Sequence, residues 1–122
     1  MSDSTKLYKF TRGYIIAAFW SSNEDDGTPM DAKYSIDDIS PVSLAIIKAD
    51  CETFWRANAG LLAKAGNDSQ NGHDYWLTRN GHGTGFWDRG YPDAVGDRLT
   101  EICRVAGEKY LCVGDDGQIH ID

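Results

Sequence analysis

Residues 40–66 constrain the fold more than any other stretch. Ser40 is a strong N-cap, and Pro41 follows at the first helical position, where a missing N–H leaves no hydrogen bond unmade. This predicts a helix running to about Ala65, closed by Gly66 in the left-handed conformation. Its apolar residues fall on two adjacent stripes: Val42, Ala45, Ile46 and Ala49, then Ile47, Cys51, Phe54 and Leu61. So broad an arc predicts a central helix packed on more than one side. Asn58 lies on the second stripe and is expected to be a satisfied structural side chain.

Other elements follow from spacing and punctuation. Leu7, Phe10, Tyr14 and Ala17 or Ala18 share a stripe over residues 5–19, predicting a first helix, although Gly13 interrupts it and residues 13–20 also suit a buried strand. Residues 21–39 are polar, acidic and aperiodic, which predicts a long mobile loop. Within 73–90, the β-favouring run Tyr75-Trp76-Leu77-Thr78 leads into Asn80-Gly81, a hairpin pair, and Phe86-Trp87 supplies a return strand. A helix over 93–106 is expected to be capped by Asp93, to carry Val95, Leu99, Ile102 and Ala106 on one face, and to stop at Gly107. Residues 110–113 and 118–121 flank Gly114-Asp115-Asp116-Gly117 as a second hairpin. The expected order is α, α, β-hairpin, α, β-hairpin: an α+β fold with a small antiparallel sheet against helices.

A chain of 122 residues suits one domain spanning 1–122. Its 41% apolar and 25% charged residues are those of a globular protein, and four Trp, six Tyr and four Phe predict an aromatic core. The three cysteines, Cys51, Cys103 and Cys112, are widely spaced among apolar neighbours and read as reduced core thiols. Residues 1–6 lack a signal-peptide pattern, and the apolar run at 14–20 is too short to cross a bilayer. A cytoplasmic protein without membrane contact is expected.

The net charge of −7 argues against direct nucleic-acid binding, which draws on clustered Lys and Arg. Residues 24–38 hold six carboxylates against Lys33 alone. They read either as a solvated loop or as a docking surface for a basic partner, with Glu24, Asp25, Asp26, Asp37 and Asp38 forming it.

Usable chemistry is densest in residues 73–90. His73, Asp74, His82 and Asp88 include the residue types of general acid–base pairs. The chain has no Ser-centred nucleophile elbow, Walker loop or His-Glu-x-x-His, and His73, His82 and Asp88 match no metal-site spacing. No catalytic residue, metal or cofactor is assigned. In one reading Arg79 pairs with Asp88 and Asp74 with Arg89 while Trp76, Phe86 and Trp87 pack inward. In the other, His73, Asp74, Arg79, Asn80, His82, Trp87, Asp88 and Arg89 line a pocket in which Arg79 holds an anion and aromatics stack on a base.

The string His73-Asp74-Tyr75-Trp76-Leu77-Thr78-Arg79-Asn80-Gly81-His82-Gly83-Thr84-Gly85-Phe86-Trp87-Asp88-Arg89-Gly90 resembles a segment, H-D-[FY]-W-L-T-R-N-G-H-G-x-G-F-W-D-R-G, of small uncharacterised proteins of tailed bacteriophages. The likeness extends to Leu111 through Gly117, and more faintly to the acidic loop and central helix. The resemblance implies viral origin and action inside an infected bacterium, and brings no activity with it. With the charge, it leads to the expectation of a non-enzymatic accessory protein that inhibits a host defence or nucleic-acid-handling protein through a basic cleft of that partner. The alternative is a small-molecule or nucleotide-binding protein, or a hydrolase, built on 73–90; a third is an assembly protein.

Overall fold

The computed structural model describes residues 3–122. Among these residues five α-helices, α1 (Asp3–Ser21), α2 (Pro41–Ala57), α3 (Ala59–Ala63), α4 (Asp68–Arg79) and α5 (Val95–Ala106), precede strands β1 (Leu111–Val113) and β2 (Ile119–Ile121). The strands pair antiparallel, Leu111 opposite Ile121 and Val113 opposite Ile119. The fold is α+β, as expected, with most of its core between helices.

α1 and α4 form the principal contact. Phe10, Tyr14, Ala17 and Ala18 of α1 are buried, as their spacing predicts, against Tyr75, Trp76 and Leu77 of α4. Gly13 is no interruption. A methyl there would meet the Ser69 carbonyl carbon at 2.9 Å, and one at Gly72 would meet the Phe10 carbonyl carbon at 2.7 Å. The two glycines let the helix backbones touch.

α2 starts as the sequence predicts: the Ser43 N–H donates to the Ser40 hydroxyl at 3.1 Å, and Pro41 is the first helical residue. It ends early. Asn58 leaves helical geometry and turns its amide back to donate to the Phe54 carbonyl at 2.9 Å, so α3 is a separate short helix. α2 packs against α1 and β2, but one of its two predicted apolar stripes stays outside the core. Ile47, Cys51 and Phe54 are buried, whereas Val42 (73% exposed), Ala45, Ile46 and Ala49 face outward. Apolar residues are common on protein surfaces, so their breadth on a helix does not measure burial. Nor does Gly66 end the helix in the left-handed region. Its N–H donates to the Asn71 side-chain oxygen at 2.9 Å, while the Asn71 amide donates to the carbonyls of Leu62 and Gly66.

The expected hairpin at 73–90 is a helix followed by a loop. Asn67 caps α4 by accepting from the Gln70 N–H at 2.8 Å, and burial against α1 overrides the strand preference of residues 75–78. Asn80-Gly81 closes the helix. Gly81 has φ +68°, its N–H donates to the Thr78 carbonyl, and the His82 N–H reaches back to the Leu77 carbonyl at 3.0 Å, the bonding of a Schellman motif. Phe86 and Trp87 lie in a single 3₁₀ turn, with the Phe86 N–H donating to the Thr78 hydroxyl.

Asp93 does not cap α5. Asp93 and Ala94 both sit at φ +57°, Ala94 occupies the cap position, and the Asp93 carboxylate lies 3.9 Å from Lys64. Val95, Leu99 and Cys103 are buried and Ile102 partly so, but Ala106 is exposed. The C-terminal hairpin stands where predicted and is stitched to α2: the Ser40 N–H donates to the Ile119 carbonyl and the Ile121 N–H to the Ser43 hydroxyl. Cys51 and Cys103 are buried thiols, but Cys112 is exposed, because on β1 it faces away from the side that Leu111 buries. Among the described residues no helix is long and apolar enough to cross a membrane.

Candidate functional site

A helix of 3.6 residues per turn scatters what a strand would have lined up. The polar residues of 73–90 therefore face different surroundings.

Arg79 points into the molecule. Its Nη1 donates to the Asp50 carboxylate, to the Tyr14 hydroxyl at 3.1 Å and to the Tyr75 hydroxyl at 3.0 Å. Nε donates to the Gly107 carbonyl at 2.8 Å and Nη2 to the Ala106 carbonyl at 3.3 Å, so the guanidinium also caps the C-terminus of α5, where its charge meets the negative end of the helix dipole. Burial works against this charge, yet the Tyr14 and Tyr75 hydroxyls and Asp50 hold the Arg79 pKa above its ordinary value. Burial likewise pushes up both phenols and the Cys51 thiol, and raises the Cys103 thiol to about 12, leaving all four groups protonated at neutral pH.

Asp74 is fully buried and takes two hydrogen bonds from Arg89, at 2.9 and 3.2 Å, and one from Gln70. The expected Asp74–Arg89 pair forms, whereas the expected Arg79–Asp88 pair does not. Asp88 instead accepts from the Gly85 N–H at 3.1 Å and from Thr84; the Gly85 bond leads the causes that lower its pKa. The Asn80 amide donates to the Trp76 carbonyl, and its oxygen accepts from the Lys109 N–H. The His73 ring lies 5.9 Å from that of Trp20, and burial lowers its pKa. Among the described residues, neither His73 nor His82 is hydrogen-bonded to Asp74 or Asp88, and no three His, Cys, Asp or Glu side chains converge as a metal site requires.

Arg79, His82 and Trp87 are brought to one cleft of about 760 Å³, which they line with α5 and the chain that follows it. Trp87 is 48% exposed and does not enter the core expected for it. The remaining charged groups of the wall, Asp97, Glu101, Arg104 and Glu108, were not among the residues singled out from sequence. For Asp97, Glu101 and Arg104 the available signal was their spacing along α5, which recurs at three and four; Glu108 lies beyond the end of the helix and had none.

The acidic loop is tied into its own turns. Glu24 lies 3.4 Å from Lys33, Asp26 accepts from the Thr28 N–H, which lowers its pKa, and Asp38 accepts from the Ser35 N–H. Asp25 and Asp37 are exposed. Scans against protein-family models, curated proteins and solved structures each gave no match.

Proposed function

We propose that this is a non-enzymatic accessory protein, of phage origin as its motif implies, that acts by binding a basic surface of a host defence or nucleic-acid-handling protein. What carries the reading is the charge of the cleft: Asp97, Glu101 and Glu108 share its wall with the exposed indole of Trp87, against Arg104 and an Arg79 whose charge Asp50 answers. Such a surface attracts cationic groups and speeds their encounter. Asp25 and Asp37 are exposed on the loop and add to the negative charge of the surface, while Glu24, Asp26 and Asp38 serve the loop's own turns.

The test is retention of host proteins first eluted from heparin, passed over the immobilised wild type, an Asp97→Asn/Glu101→Gln/Glu108→Gln variant and an Asp25→Asn/Asp37→Asn variant. Stoichiometric retention by the wild type, released by salt and lost from either variant, is expected. No retention, or equal retention by all three proteins, overturns the reading.

A small-molecule reading keeps one observation in its favour, a cleft volume typical of ligand pockets. It cannot use Arg79 as the anion holder, since that guanidinium is engaged on every nitrogen. Mass spectrometry of ligand released from the purified, denatured protein tests it, and only a stoichiometric species supports it.

A further inference from the structure

We infer that this chain pairs with a second copy of itself through the outer face of α1, the two helices lying antiparallel about a two-fold axis that passes between Arg12 and Ile16. The surface shares no residue with the acidic groups of the basic-partner reading, so the two stand or fall separately.

The face is built into the spacing of α1. Phe10, Tyr14 and Ala17 turn one side of the helix into the core. On the other side Tyr8, Arg12, Ile16 and Trp20 recur at every fourth position, which places them in one row along the helix. Tyr8, Ile16 and Trp20 are 62%, 51% and 57% exposed. Beside the row run two apolar hollows, of about 270 Å³ toward the start of α1 and about 450 Å³ toward its end; they share Arg12, Ile15 and Ile36 and so make one groove on a single flank of the helix. Among the described residues nine large apolar side chains are exposed, and four of them, Tyr8, Ile16, Trp20 and Ile36, meet here. Single exposed apolar residues need no explanation, whereas a contiguous group marks a surface of interaction.

Charge identifies the partner as another copy. In a chain of net charge −7, the groove walls carry Arg12 and Lys48 against Asp31 and Glu52, so two copies can meet here without net like charge. The charges are also polarised along the helix. Lys48 stands in the hollow toward the start of α1, where Arg56 already answers Glu52 at 2.8 Å. Asp31 stands in the hollow toward the end, held there by the Met30 N–H, which donates to the Ser22 carbonyl at 3.0 Å. The Arg12 guanidinium reaches back one turn toward the start, 3.5 Å from the Tyr8 hydroxyl. None of Arg12, Asp31 and Lys48 is ion-paired among the described residues.

A parallel pairing would stack the basic end on itself. The antiparallel two-fold keeps each flank against the same flank of the copy and reverses its ends, so Arg12 and Lys48 come level with the copy's Asp31. An isologous interface makes every such contact twice. The same operation sets Tyr8 opposite the copy's Trp20, ring toward ring. A bilayer fits less well, since anionic headgroups would meet Asp31 and a chain of net charge −7. One 19-residue helix, about 28 Å long, gives a footprint near the small end of specific interfaces, so the pair is expected to be reversible, with a micromolar dissociation constant.

Sedimentation equilibrium of the full chain, from low micromolar to millimolar concentration, reads the association directly. The wild type is expected to pass from monomer to dimer and no further. Ile16→Glu, at an exposed position, should weaken the dimer by about tenfold or more while leaving the circular dichroism spectrum unchanged. Arg12→Asp and Asp31→Arg should each weaken it, and the double variant Arg12→Asp/Asp31→Arg should recover most of the loss, because the exchanged charges still meet across the axis. Local damage to either segment would not produce that recovery. A monomer at every concentration, a dimer untouched by Ile16→Glu, open-ended assembly, or a double variant no better than the singles overturns the inference. A monomer that instead cosediments with vesicles of phosphatidylcholine and phosphatidylglycerol gives the face to a membrane surface and overturns it equally.

Discussion

Gly72 of α4 lies against the backbone of Phe10 on α1 so closely that a methyl group on its Cα would sit 2.7 Å from the Phe10 carbonyl carbon. Neither helix can yield without parting the core that Phe10, Tyr14 and Tyr75 fill. Gly72→Ala should therefore cost about 3 kcal/mol, the upper part of the range for overpacking, and Gly13→Ala a similar amount. Gly60, on α3 with open space where its side chain would be, provides the contrast: Gly60→Ala should stabilise by about 0.5–1 kcal/mol. Urea unfolding of the three variants checks the set, and equal effects at all three positions would refute the close-contact account.

Asp50 and Arg79 should behave as one unit. Removing either leaves the other charge without its partner, and Asp50→Ala is expected to cost about 3 kcal/mol, the low end for a buried pair because the Asp50 side chain is partly exposed. The double variant Asp50→Ala/Arg79→Met should lose much less than the sum of the two singles. An additive cycle would show that the pair is not coupled.

Ala94 carries a left-handed backbone at the start of α5 with a side chain that gains nothing from it. Ala94→Gly should raise stability by about 1 kcal/mol by removing the clash that L-residues suffer in that region. A lowered thermal midpoint would contradict this.

The depressed pKa of His73 sets a pH dependence whose sign can be worked out. Burial lowers its folded pKa below the ordinary value of 6.5, so below that pH the unfolded chain binds the proton more readily. The contribution is complete above pH 6.5 and is lost as pH falls toward and through the folded value. Relative to the wild type, His73→Gln should lose less stability between pH 7 and pH 5, as read from unfolding midpoints. A wild type and variant with parallel pH curves would rule it out.

Much of the helical frame was legible in the sequence, because Ser40-Pro41, the stripe from Phe10 to Ala18 and the Val95–Leu99 face each carry a local signal with one physical meaning. The hairpin at 111–121 was legible for the same reason. Residues 73–81 were not, since Tyr, Trp and Thr favour strands and Asn-Gly favours hairpins, while the deciding influence, the backbone contact of Gly13 and Gly72, joins residues far apart in sequence. The same error misplaced the site. Read as a strand, 73–90 presented its polar groups together; as a helix, it sends Arg79 and Asp74 inward and leaves His82 and Trp87 to meet α5. Asp50 carried an overlooked signal, standing between Ile47 and Phe54 on the buried side of α2, where a carboxylate implies a cation opposite.

The stitch between β2 and the first turn of α2 also bears on how the protein is made. The hydrogen bond from the Ile121 N–H to the Ser43 hydroxyl joins groups 78 positions apart. At about 5–20 residues per second, a ribosome adds that length in about 4–16 s. During that interval α1 and α2 exist as nascent chain while the strand that covers Ser43 has yet to be polymerised. Slowing translation downstream of α4 should therefore lengthen the lifetime of a protease-sensitive, chaperone-dependent intermediate without altering the finished protein.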